Sequence, residues 1–209
     1  MALFLDSAVM EEAQKASNLG FVYGSTTNPA LLIKAGHVDF KVAMRDLCSL
    51  YPGPVFYQFT RHSVPEMRAE YEEYSKIAPN LGFKIPCTLV GLQMSAEISK
   101  KSVVAITSVF KASQAYLAAQ SGAKYVIPYY NRTERYTGCG AELIAQLYEV
   151  LADTDTEILA AGIKSSAEVV ACITAGAHNI SVPWQVIQEM AECTLSQQAI
   201  AEFDQVLIK

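Results

Sequence analysis

No apolar stretch in the chain approaches the roughly 18 residues that span a bilayer. The opening residues, Met1-Ala2-Leu3-Phe4-Leu5-Asp6, carry neither the basic leader nor the long apolar run of a secretory signal. Both absences predict a soluble, cytoplasmic protein with no membrane partner. Runs of like charge are also missing: 16 basic and 21 acidic residues give a net charge of −5, which leaves no electrostatic footprint for nucleic acid or an anionic surface. The five cysteines are odd in number, lack CxxC spacing and sit mostly among apolar neighbours, so they are predicted to be buried free thiols. His37, His62 and His178 are scattered without metal-ligand spacing and receive no role. No Gly-, Ser- or Pro-rich linker and no low-complexity tract divides the 209 residues, which predicts one domain over 1–209.

What the chain has is a rhythm. Short apolar runs recur at Ala2–Leu5, Phe21–Tyr23, Val55–Phe59, Phe83–Ile85, Val103–Ile106, Tyr125–Ile127, Ile158–Ala161 and Asn179–Val182, each too short for a helix and bounded by turn or polar residues. Between them lie stretches with apolar residues at three-and-four spacing, such as Val64–Ile77, Leu89–Lys100, Phe110–Ser121, Ala141–Leu151 and Ser166–Ala175. Strands alternating with helices imply parallel pairing with right-handed crossovers, in either an open sheet or a barrel. Eight near-equal units and no GxGxxG after the first strand favour closure, an α/β fold of the (β/α)8 TIM-barrel kind. Leu195–Ile208 is one more amphipathic helix, placed either to cap the barrel or to reach a neighbouring subunit.

In such a barrel chemistry sits where strands end, and nearly every strand here ends on a polar residue: Asp6, Thr26–Asn28, Gln58, Lys84, Thr107, Tyr129, Gly162–Ser165 and Ser181. Lys84, in Gly82-Phe83-Lys84-Ile85-Pro86, is a lysine embedded in an apolar strand. Desolvation disfavours its charged form, so a fraction is expected as a neutral amine able to attack a carbonyl. The competing reading is a structural lysine that snorkels to the rim or pairs with Asp6. Asp6 is equally placed to cap the first helix, and Thr26-Thr27-Asn28-Pro29 reads as a helix start with Asn28 as cap. Gln58 is either a satisfied core amide or a site residue. Tyr129 and Arg132 belong to a strand followed by a polar loop, where Tyr130 packs and Arg132 is either a ligand or a solvated charge.

Taken together, Leu3-Phe4-Leu5-Asp6, Thr26-Thr27-Asn28-Pro29-Ala30-Leu31-Leu32, Lys84-Ile85-Pro86-Cys87-Thr88, Tyr125-Val126-Ile127-Pro128-Tyr129-Tyr130-Asn131-Arg132, Leu159-Ala160-Ala161 and Ala175-Gly176-Ala177 give the chain a specific likeness. It resembles the transaldolase family, and within it the small fructose-6-phosphate aldolase-like members, from the first strand to the last helix. The resemblance implies a lysine-imine aldol mechanism on a sugar or sugar phosphate, without metal or organic cofactor. It casts Lys84 as the Schiff-base lysine, Asp6 as the proton-moving carboxylate and Asn28, with Thr26, as a contact to the donor. Gln58, Thr107 and Tyr129 match the residues that hold a catalytic water. Transaldolases proper carry Glu and Phe where this chain has Gln58 and Tyr129, so the pair points to an aldolase.

Arg132 and Lys164 match the family's phosphate end, but its serine at the close of the seventh strand is replaced by Gly162. Ser165, or backbone N–H groups at the following helix start, are the expected substitutes. By the same resemblance, Ile127 fills a position that is small in the fructose-6-phosphate aldolase-like members. The resemblance further implies a homo-oligomer, a pentamer or decamer.

Overall fold

Short strands form where β-branched and aromatic residues cluster, each is followed by a helix, and several of those helices start at a polar cap. The computed structural model describes residues 1–207. In chain order these form β1 (Ala2–Asp6), α1 (Met10–Asn18), β2 (Val22–Thr26), α2 (Pro29–Lys34), α3 (Phe40–Cys48), β3 (Val55–Gln58), α4 (Val64–Tyr74), β4 (Leu81–Pro86), α5 (Leu89–Ile98) and β5 (Val104–Val109). There follow α6 (Ala112–Gln120), β6 (Tyr125–Pro128), α7 (Tyr130–Thr137), α8 (Gly140–Leu151), β7 (Glu157–Ala160), α9 (Ser166–Thr174), β8 (Asn179–Val182), α10 (Trp184–Ala191) and α11 (Thr194–Leu207). Side-chain oxygens of Asn28, Asp39, Thr88 and Ser165 accept backbone N–H groups that α2, α3, α5 and α9 would otherwise leave unpaired.

All eight strands pair in parallel and in sequence order, with β8 returning to β1, so the sheet closes into a (β/α)8 barrel. Every predicted apolar run falls on a strand, and β2 continues past Tyr23 to Thr26. The strand period of two sends alternate residues inward. Phe4, Phe56, Ala105, Tyr125, Ile127, Leu159 and Ala161 pack inside the barrel, while the other apolar set packs between strands and helices. The rings of Phe4, Phe56 and Tyr125 meet at centroid distances of 5.7–6.2 Å and close the barrel's floor. Gly82 makes room for this plug, since a Cβ there would sit 2.7 Å from the Phe56 ring. One step further along the strands the inward positions turn polar.

Three features depart from expectation. Only Cys48 and Cys172 are buried; Cys87 is half-buried, and Cys139 and Cys193 are exposed, because they fall in the short links before α8 and α11 rather than on core faces. The polar stretch after β6 is a helix, α7, ended by Gly138 in the left-handed conformation at φ 68°. The final helix forms largely as expected, with Ile208 outside the described residues, but it does not cap the barrel: its residues 194–205 are all exposed. Among the described residues no helix is long and apolar enough to cross a membrane.

Candidate active site

The C-terminal ends of the strands surround a cavity of about 440 Å³ lined by Asp6, Asn28, Lys84, Tyr129, Arg132 and Lys164 among others. Six of the ten predicted site residues therefore meet on one surface. Thr26 and Thr107 lie just below it, each hydrogen-bonded to a lining residue. Gln58 stands beside Lys84 in the sheet register. Ser165 is not brought to the cavity: its Oγ accepts the Glu168 N–H at 3.2 Å and caps α9.

Lys84 is the chemically costly residue. Its side chain rises from the middle of β4 and is only 3% exposed. Its Nζ donates to the Thr27 carbonyl at 3.3 Å, and among the described residues it forms no ion pair with Asp6 or any other carboxylate. A lysine buried without an acid is rare and destabilising, so neither the snorkelling nor the ion-paired reading describes it.

Asp6 ends β1 and does not cap α1, whose cap position is Val9. The Ser181 hydroxyl on β8 lies 2.7 Å from the Thr26 Oγ1, which donates to the Asp6 carboxylate at 2.8 Å. With its one proton spent on Asp6, Thr26 accepts from Ser181, and the relay holds the carboxylate at the cavity wall. Asn28 serves both readings, since its Oδ1 accepts the Leu31 N–H at 3.0 Å and its side chain lines the cavity.

Across the barrel, Thr107 donates to the Tyr129 hydroxyl at 3.1 Å, which leaves the phenolic proton free to point elsewhere. Burial pushes the Tyr129 phenol up, but the charge of Lys84, the hydroxyls of Thr107 and Ser108 and the charge of Arg132 together hold it below the ordinary tyrosine range. Ser108 sits at a register shift in β5 with φ 61°, a left-handed conformation unusual for a residue with a side chain. The Oε1 of Gln58 is buried with no hydrogen-bond partner among the described residues. An orphan acceptor costs about 1–3 kcal/mol, which marks the space beside Lys84 as one built to receive a donor.

Sequence reasoning placed Ser181 at a strand end without assigning it to the site, and passed over Ser108, Asn131, Arg135 and Tyr136. The last three lie on α7, whose polar sequence has no apolar stripe to announce a helix. Among the described residues no group of three or more His, Cys, Asp or Glu side chains is placed to hold a metal ion.

The family model for transaldolase and fructose-6-phosphate aldolase matches residues 3–209. The chain belongs to the transaldolase/fructose-6-phosphate aldolase family. Relatives include a protein named probable transaldolase from Brachyspira hyodysenteriae, 36% identical over 97% of this chain and 95% of its own length. Another, named probable transaldolase 1, from Bacillus cereus, is 37% identical with the same coverage. Membership makes the chain an enzyme of the aldolase or transferase kind. Among solved structures, a thiamine phosphate pyrophosphorylase from Pyrococcus furiosus matches with a TM-score of 0.62 over 87% of this chain and 85% of that one. At 14% identity that likeness speaks for the barrel alone.

Proposed function

We propose that this family member is a Schiff-base aldolase that reversibly cleaves a ketose into a dihydroxyacetone-type donor and an aldehyde, with fructose 6-phosphate as the leading candidate substrate. The observation that carries the reading is Lys84, buried on β4 without an acid and facing a polar cavity. Once it has given up its proton, the Lys84 amine attacks the ketone carbon, and the carbinolamine loses water to give an iminium. Asp6, held by Thr26, takes the proton from the hydroxyl of the carbon being released as the carbon–carbon bond breaks. The electron pair of that bond moves into the enamine on Lys84, the aldehyde leaves, and protonation and hydrolysis free the donor. The Gln58 carboxamide and the Thr107–Tyr129 pair hold the water that carries protons in the imine steps. Asn28 orients the donor and Thr26 acts through Asp6, while Arg132 and Lys164 face the acceptor.

A transaldolase reading, in which the three-carbon unit stays bound until a second aldehyde arrives, is favoured by the names of the relatives. Gln58 and Tyr129 favour the aldolase. The test is to mix the enzyme with fructose 6-phosphate alone and measure free dihydroxyacetone. Sustained release is expected; production only after a second aldehyde is added supports the transferase and contradicts the aldolase.

We also propose a homo-oligomer in which α11 packs on a neighbouring copy. A 14-residue helix is marginal in water by itself, and Leu195, Ile200 and Phe203 are 74%, 58% and 69% exposed on this one.

A further inference from the structure

In barrels of this type an anionic group is commonly held at the loop after the seventh strand and the helix N-terminus that follows it. Here that position is filled from within. The Lys164 N–H donates to the Glu168 carboxylate at 2.7 Å, and the Ser166 N–H and hydroxyl donate to Glu189 of α10 at 3.1 and 2.6 Å. The Glu168 N–H is taken by Ser165 at 3.2 Å. Glu189 is held below the usual carboxylate range by the Ser166 hydroxyl and N–H, so the start of α9 carries negative charge. An incoming anion would find its donors spent and like charge beside them.

The opposite wall is the reverse. Arg132 and Arg135 lie three residues apart on α7, about one turn and on one face, and both line the cavity together with the Lys164 side chain. The Arg132 guanidinium stands 5.1 Å from the Tyr129 ring centroid, a cation–π distance. None of the three cations forms an ion pair among the described residues. Asn131 donates to Glu168 at 2.6 Å, which ties the start of α7 to the first turn of α9 and fixes this wall. Gly162, with no side chain, leaves the space between the walls open.

We propose that Arg135 determines acceptor specificity: an aldehyde with a terminal phosphate is gripped from the α7 side by Arg132 and Arg135, in place of the α9 N-terminus. The proposal rests on the aldol reading, and its test separates the two. Steady-state addition of dihydroxyacetone to glyceraldehyde 3-phosphate and to glyceraldehyde is compared in wild type, Arg135→Ala, Arg135→Lys and Glu189→Gln. Arg135→Ala is expected to raise KM for the phosphorylated aldehyde about ten- to a hundredfold, the scale of a lost charged hydrogen bond. KM for glyceraldehyde and for dihydroxyacetone should stay within about twofold, on the scale of an exposed side chain that neither ligand reaches. Arg135→Lys should recover part of the loss, and inorganic phosphate should inhibit Arg135→Ala more weakly than wild type. Glu189→Gln should leave the preference unchanged. A wild type indifferent to phosphate, an equal loss on both aldehydes, or a preference governed by Glu189 overturns the proposal. Borohydride trapping of dihydroxyacetone on Arg135→Ala keeps the outcomes distinct: trapping with unchanged preference sinks only the role of Arg135, whereas no trapping in wild type sinks the aldol chemistry beneath it.

Discussion

Tyr129 is the residue at which surroundings and chemistry are most closely linked. Burial pushes Tyr125 up to about 12 and sends Tyr51 and Tyr57 higher still, whereas burial of Tyr129 is outweighed by Lys84, the Thr107 and Ser108 hydroxyls and Arg132. A lowered pKa means that the phenolic proton is kept at low pH and lost early as pH rises. Titration of tyrosinate absorbance should therefore show one phenol ionising ahead of the rest, and Tyr129→Phe should abolish that step. The same variant should cleave about ten- to ten-thousandfold more slowly, the range for a positioned acid–base group, while still binding dihydroxyacetone. An early step that survives in Tyr129→Phe, or unchanged cleavage, removes Tyr129 from the mechanism. At Gly162 the sequence was legible only in part. A serine missing from the phosphate end could be read from the residue, but not that the backbone there has φ 68°, which favours glycine. A Cβ would meet Tyr129 at an ordinary 3.8 Å, so the cost of Gly162→Ser lies in the backbone. Urea unfolding should show a loss of about 1–2 kcal/mol for this variant, and no loss would mean that the loop relaxes freely.

Among the elements, the strands and the long helices were readable because burial on a core face imposes a period, and α7 was not, because nothing in Tyr130–Thr137 repeats with an apolar stripe. Its helical form follows from position: it starts where β6 ends and stops at Gly138, and the Glu134 carboxylate accepts the Gly140 N–H at 2.8 Å to hold its far end. A second local device was equally hidden. Glu70 on α4 is buried and accepts from the Tyr57 hydroxyl, the Thr60 hydroxyl and the Thr60 and Arg61 N–H groups, which pins the loop after β3 and hence the strand end that carries Gln58. Glu70→Ala leaves the buried Tyr57 hydroxyl unpaired and takes the acceptor from the Thr60 and Arg61 donors of the loop. It should lower stability by about 2–4 kcal/mol, with Glu70→Gln losing less because an amide oxygen still accepts. Denaturant midpoints for the two variants measure this, and a near-neutral Glu70→Ala would show that the loop finds other partners.

At the scale of the whole molecule, closure was readable from eight near-equal units and from a missing nucleotide fingerprint, and the ring of polar residues from their places at the ends of apolar runs. What a single sequence withholds is distance. It left Lys84 free to pair with Asp6, and only the fold separates them and ties Asp6 to Thr26. It also left two destinations for the last helix, of which capping the barrel is not the one taken. If α11 carries the proposed oligomer, deleting residues 194–209 should reduce its mass in light scattering while circular dichroism still reports a folded barrel. An unchanged mass would place the subunit contacts elsewhere. The central claim, however, concerns one nitrogen atom. Incubation with dihydroxyacetone followed by borohydride should convert a reversible imine into a stable amine, and peptide mass mapping should find the added three-carbon unit on Lys84, with activity lost in proportion. A donor-saturated, reduced and fully active enzyme with Lys84 unmodified would contradict it.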